Sequence, residues 1–221
     1  MPFHLCHIDL AAKPAWYRGV NPRGLVPALE HDGIVHTESL DICRFVDAAF
    51  EGPPLVPADP AALAAMDACI RQSEAAIEAG LALVAGQTGR YWGIGAGQTA
   101  AQRAALRQRL RPLAEALQAS GGPYLCGSEV TLADLAVFPF LRRYDLVMRS
   151  VLQGCDAAAV LGPEVGTWLW AAMGARAACG VCSADEPLLL SAYRRHQCLD
   201  FFDYDSYGVF DCHPQNRHLL L

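Results

Sequence analysis

NPRGLVPALEHDGIVHTESLDICRFVD, residues 21 to 47, decides how the rest of the chain is read. Ala28-Leu29-Glu30-His31 and Ile34-Val35-His36 flank Asp32-Gly33, a dipeptide whose easy positive φ suits a two-residue hairpin. Thr37-Glu38-Ser39 then opens an apolar-periodic run of Leu40, Ile42, Cys43, Phe45 and Val46. Small hydroxyls at that point accept the unpaired N–H groups of a first helical turn. The stretch therefore predicts strand, tight turn, strand, helix. Val26-Pro27 falls where the first strand begins. A proline donates nothing to a ladder, so Pro27 belongs at a strand start, an edge or a bend, with a cis bond among the solutions. From spacing alone, a hairpin and an ordinary capped helix account for all of it.

Upstream, Phe3 to Ile8 alternates apolar and polar as a half-buried strand would, and Lys13-Pro14-Ala15-Trp16-Tyr17 predicts a short proline-opened helix. Downstream, residues 51–60 hold four prolines, too many for helix or sheet, and predict a linker in which Leu55 is the bulky residue able to key into the second domain. From residue 61 the spacing is helical, with Met66, Ile70, Ile77, Leu81 and Val84 on one face. Residues 88–97 are glycine-rich and read as a loop; Gly93-x-Gly95-x-Gly97 has no strand leading into it and is a poor phosphate cradle. Gln98 to Ala119 predicts a second long helix, with Arg103, Arg107, Arg109 and Arg111 on its solvated face. Thr131-x-x-Asp134, before an apolar run, is a capping box for a helix that Pro139 should bend. Residues 156–178 predict shorter helices with Trp168 and Trp170 on or near the core, and residues 183–221 match neither period.

The 221 residues are 53% hydrophobic and 18% charged, which places the chain among globular proteins with a large core. A net charge of −6 without a basic stripe argues against nucleic acid, and nothing in the sequence suggests a membrane partner. Nine scattered cysteines do not resemble a secreted disulfide framework. Cys43 and Cys69 fall on apolar helix faces, where a thiol packs as a small hydrophobe. Cys179-Gly180-Val181-Cys182 has redox spacing without the strand before it or the helix after it that such a motif needs. Adding His196, Cys198, Cys212 or His213 yields four ligand types but not zinc spacing, so no metal is expected.

The runs FHL at 3–5, DL at 9–10, KPAWY at 13–17, VPALEHDG at 26–33, ESLDI at 38–42 and FEGPPL at 50–55 resemble the glutathione transferase superfamily, most closely its plant and algal lambda class. The resemblance spans about residues 3 to 175, and its first third is the specific part. It implies an α/β thioredoxin-like domain followed by an all-α bundle: a partial glutathione-binding domain over 1–50, a linker over 51–60, a helical domain over 61–182 and an unassigned tail over 183–221. It implies a cis bond at Val26-Pro27, and glutathione held by Val26, Pro27, Glu38 and Ser39. Elementary chemistry agrees with those roles. A strand at Val26 offers an N–H and a C=O to a peptide-like ligand, a helix N-terminus at Ser39 suits a carboxylate, and Glu38 suits an ammonium. Leu25 stands where the class often has lysine.

The family order also implies a strand, a loop with the reactive residue, and a helix ahead of Phe3, so the nucleophile is expected upstream of Met1 and the chain to be an incomplete product. Two strands would then face each other across a gap with unpaired edges. Cys6, inside a strand and away from a helix N-terminus, is not expected to serve as nucleophile. The implied activity is glutathione-dependent thiol transfer on a small thiol conjugate or a hydrophobic acceptor, by a monomer in the cytoplasm, or in the plastid if a transit segment lies upstream. The other class of function compatible with these residues is a non-catalytic domain of the same fold that binds ligands or partners.

Overall fold

The computed structural model describes residues 13–88, 91–94, 100–150 and 154–175, with positions 3, 4, 6, 8, 152, 186, 187 and 190; for 85–88 and 91–94 the backbone alone is described. The chain divides into two compact units between Pro54 and Leu55, inside the proline-dense stretch.

In the first unit, α1 (Tyr17–Val20) follows Pro14, whose carbonyl accepts from Tyr17 N–H at 3.0 Å. β1 (Ala28–His31) and β2 (Ile34–Thr37) pair antiparallel, Ala28 opposite Thr37 and His31 opposite Ile34. Asp32 and Gly33 turn the chain at φ 50° and 77°, as a primed hairpin turn requires. α2 (Ser39–Ala49) follows at once.

Three details depart from the sequence reading. Phe3, His4, Cys6 and Ile8 lie in no strand, and among the described residues β1 and β2 form a sheet of two. No hydroxyl caps α2: Thr37 is held in β2 opposite Ala28, and Glu38 takes the corner at φ 65°, ψ 118°. Cys43 is exposed, and no residue of α2 is fully buried. What packs α2 to the hairpin is aromatic: His36 stacks on Phe45 at 3.8 Å between centroids, and His31 meets Phe45 and Phe50 at 5.5 and 5.1 Å.

The second unit carries the apolar core. α3 (Pro60–Val84) starts where Asp59 Oδ2 accepts from Ala62 N–H at 2.8 Å. Leu55 meets the start of α6 through its backbone, its carbonyl accepting from Leu132 N–H at 2.9 Å. α6 (Leu132–Ser150) packs on α3, and Met66, Leu83, Leu141, Tyr144 and Met148 of these two helices are among the fully buried side chains. Gly80 permits this approach, since a Cβ there would stand 2.3 Å from the Tyr144 ring, and the Tyr144 hydroxyl is engaged with Ile77 O at 2.9 Å. Between them run β3 (Ala85–Thr88), β4 (Tyr91–Ile94), α4 (Ala100–Arg109) and α5 (Arg111–Ala119); α7 (Ala157–Leu161), α8 (Pro163–Thr167) and a π-helical turn (Trp168–Met173) come after α6.

Here too the sequence reading needs correction. The expected loop over 88–97 contains a hairpin, with Thr88 opposite Tyr91 and Ala85 opposite Ile94; Tyr91 and Trp92 are residues that favour strands. Gly93 lies in β4, while Gly95 and Gly97 fall outside the described residues. The single helix expected over 98–119 breaks at Leu110, because Pro112 has no N–H to continue the ladder and its ring crowds the preceding turn. Trp168 is buried, but Trp170 is 42% exposed, with the Arg142 and Arg149 guanidinium groups 4.2 and 4.8 Å from its ring centroid. Glu186, within the span left unassigned by sequence, pairs with both arginines.

Asp134 organises the junction before α6. Its Oδ2 accepts from Thr131 N–H at 3.0 Å and from Thr131 Oγ1 at 3.1 Å, and its Oδ1 accepts from Leu125 N–H and Trp168 Nε1, both at 2.9 Å. The capping box thus forms with its hydroxyl turned onto the carboxylate.

Candidate functional site

The hairpin register builds the site. With Ala28 opposite Thr37, the residues just before β1, Val26 and Pro27, and those just after β2, Glu38 and Ser39, emerge at the same end of the sheet. The four residues singled out from sequence are therefore brought together. The Val26-Pro27 bond is cis. Neither the N–H nor the C=O of Val26 is hydrogen-bonded among the described residues, and its side chain is 44% exposed.

The backbone just before Val26 is fixed from below. Tyr17 Oη and Asn21 Nδ2 both donate to Leu25 O at 2.7 Å, and Asn21 Oδ1 accepts from Arg23 N–H at 3.1 Å. Tyr17 and Asn21 are the buried side chains of this unit among the described residues. Burial first, then the nearby Cys6, push the Tyr17 phenol above its ordinary range, which keeps its O–H as a donor to Leu25. Sequence reasoning passed over this pair; the Asn21-Pro22 dipeptide, a turn signal, was the available clue.

Ser39 is the first residue of α2 and is exposed. The opening N–H groups of a helix have no partner within it, and no side-chain cap covers them here. They face the dipole end that favours anions. Glu38, at positive φ, stands between the strand and the helix, and its Oε1 is paired with Arg23 Nη1. Arg23 is thus a second residue that the sequence did not flag. Both side chains are largely exposed, and an ion pair of that kind is worth about 0–1 kcal/mol, so another cation exchanges with Arg23 at small cost.

The other candidates separate from this site. Cys6 is half-buried and lies in no described helix or strand. Cys179, Cys182, His196, Cys198, Cys212 and His213 lie outside the described residues. Among the described residues no group of three or more His, Cys, Asp or Glu is placed to hold a metal, and no helix is long and apolar enough to cross a membrane.

The chain's similarities fall on the same two units. Residues 1–49 match the family described as glutathione S-transferase, N-terminal domain, and residues 96–175 match glutathione S-transferase, C-terminal domain. Glutathione S-transferase L3 of Arabidopsis thaliana is 30% identical over 166 residues, covering 75% of this chain and 64% of the relative. This chain therefore spans 64% of that relative's length. Protein IN2-1 homolog A of Oryza sativa subsp. japonica is 53% identical over 57 residues, 25% of this chain and 24% of its own. Among solved structures, Leishmania TDR1, a trimeric glutathione transferase, aligns with a TM-score of 0.69 at 21% identity, covering 87% of this chain and 42% of that one. That likeness concerns the fold.

Proposed function

The chain belongs to the glutathione S-transferase superfamily, and from that premise we propose that its first unit binds glutathione at Val26, Pro27, Glu38 and Ser39. The observation that carries the proposal is the register of β1 and β2, which sets a backbone segment without a partner among the described residues beside a helix start without a side-chain cap. Glutathione offers a peptide backbone, an ammonium and carboxylates. Its cysteinyl backbone pairs with Val26, extending the strand pattern. Its γ-glutamyl carboxylate sits on the Ser39 hydroxyl and the first N–H groups of α2, where donors and dipole act together. Its ammonium takes the place of Arg23 at Glu38. Tyr17 and Asn21 are positioning residues that hold the Leu25–Val26 backbone in line.

The wider reading is a lambda-type, glutathione-dependent thiol transferase, cytoplasmic and monomeric, acting on a small thiol conjugate or a hydrophobic acceptor. Its support is the similarity to plant L-type transferases. Cys6 is not assigned as the nucleophile, since it lies in no described helix or strand and so at no helix N-terminus that would lower its pKa. Thiol transfer by the chain as it stands is accordingly expected at background, unchanged by Cys6→Ser. A measurable rate that Cys6→Ser abolishes would place the nucleophile at Cys6 instead.

Binding is tested by titrating glutathione into the chain and following backbone amide shifts. Hydrogen bonds to charged groups are worth about 1.5–3 kcal/mol, so Ser39→Ala and Glu38→Gln are each expected to weaken binding by about tenfold or more. Glu51→Gln, in the linker, should leave affinity unchanged. Equal affinity in all three variants removes the residue-level support for the site.

A further inference from the structure

Charge on one face of α6 does not balance within the helix. Arg142, Asp145 and Arg149 stand three and then four residues apart and so share a face. Asp145 is buried; its Oδ2 accepts from Arg149 Nε at 2.8 Å and lies 3.5 Å from Arg142 Nη1. Two guanidinium groups thus share one carboxylate of their own helix. The Arg142 side chain is only 9% exposed, and a cation so placed is costly unless an anion and hydrogen bonds meet it. Both guanidinium groups also lie over the Trp170 ring. Trp170 belongs to the π-helical turn Trp168–Met173, a feature often found at functional sites. Asp145 and Trp170 therefore hold the two arginines side by side and leave N–H groups on both for a second acid. That acid comes from far along the chain. Glu186 Oε2 pairs with Arg142 Nη2, and Glu186 Oε1 accepts from Arg149 Nη2 at 3.0 Å, one oxygen to each guanidinium.

We propose that Arg142, Arg149 and Trp170 form a carboxylate-binding site in the second unit, with Glu186 as its internal occupant and small external carboxylates as the ligands that take its place. The frame suits that class of ligand: two guanidinium groups present donors to the two oxygens of one carboxylate, a charge-assisted pairing for which arginine is better shaped than lysine. Donor capacity is left over, since the buried Arg142 Nη1 makes no hydrogen bond among the described residues. The site also meets water, because the side chains of Glu186 and Arg149 and the Trp170 ring are all partly exposed. An occupant on the same chain competes at a high effective concentration, so an external carboxylate enters only when abundant or when Glu186 is removed. The proposal is independent of the glutathione reading, whose residues belong to the first unit.

The test titrates sodium acetate into the full chain and into Glu186→Ala, with sodium chloride at equal ionic strength as the control. The Trp170 indole N–H and Arg149 Nε–H signals are followed by nuclear magnetic resonance. In Glu186→Ala, acetate is expected to move both signals to saturation and chloride is not. The wild type should need about tenfold more acetate or greater for the same shift, because Glu186 competes. Adding Arg149→Gln to Glu186→Ala should abolish the response. If the alanine variant is too unstable to titrate, acetate and not chloride is expected to raise its urea midpoint. A Glu186→Ala chain that answers acetate no more than chloride, in signals or in midpoint, overturns the proposal. So does an equally strong response in the wild type, or one that survives Arg149→Gln.

Discussion

Asp134→Ala is expected to unfold the second unit far more readily than any single apolar truncation in α2. The Asp134 carboxylate has no exposed surface and accepts four hydrogen bonds, from Thr131 N–H, Thr131 Oγ1, Leu125 N–H and Trp168 Nε1. Each buried donor left without a partner costs about 1–3 kcal/mol, so the substitution should remove on the order of 4 kcal/mol. That is a large share of the roughly 5–15 kcal/mol that holds a domain together. Asp134→Asn keeps one acceptor oxygen for Leu125 and Trp168 but turns an amide N–H₂ toward Thr131, so its stability should fall between those of the wild type and the alanine variant. Urea unfolding followed by helical circular dichroism reads that order directly. If the alanine variant unfolds at the wild-type midpoint, Asp134 is not the fastening of this junction. A glutathione-binding defect without a stability change would likewise contradict the structural role assigned to it.

The parts of the fold that sequence revealed are those fixed by short-range chemistry. Asp32-Gly33 forced a primed turn, and Thr131-x-x-Asp134 carried its cap in four consecutive letters. The proposed site residues Val26, Pro27, Glu38 and Ser39 come from family resemblance and helix-terminus chemistry, which point to the same end of the same hairpin. What stayed hidden depends on partners distant in sequence. Nothing around Asp134 announces Trp168, 34 positions on. Trp170 falls at a position whose spacing suggests the core or its edge, yet it is 42% exposed, with the guanidinium groups of buried Arg142 and of half-exposed Arg149 over its ring. The cap of α2 was misjudged for a different reason. Thr37 offers a capping hydroxyl at the start of the apolar-periodic run, but its place in the ladder opposite Ala28 has the stronger claim on its backbone.

Amide exchange should divide sharply at the boundary between Pro54 and Leu55. In the first unit the buried side chains among the described residues are Tyr17 and Asn21, which serve hydrogen bonds to Leu25 more than an apolar core. α2 buries none of its residues fully, and a sheet of two strands is marginal in water. α6 by contrast buries Leu132, Val137, Leu141, Val147 and Met148 along its length and is fastened at its start by Asp134. Local opening ranges from almost nothing at the loosest segments to the full unfolding free energy in the core. A difference of about 4 kcal/mol between them corresponds to about a thousandfold in protection, at about 1.4 kcal/mol per factor of ten. Residues 28–37 should therefore exchange about a thousand times faster, after correction for sequence, than residues 137–148 of α6. Saturating glutathione should narrow that gap from the hairpin side alone, since the ligand binds the folded hairpin and helix start and not their open forms. Equal, slow exchange in both units would mean that segments outside the described residues cover the hairpin and complete its core. Protection unchanged by glutathione would count against Val26 and Ser39 as its binding residues, because a ligand held there must resist every opening that separates strand from helix.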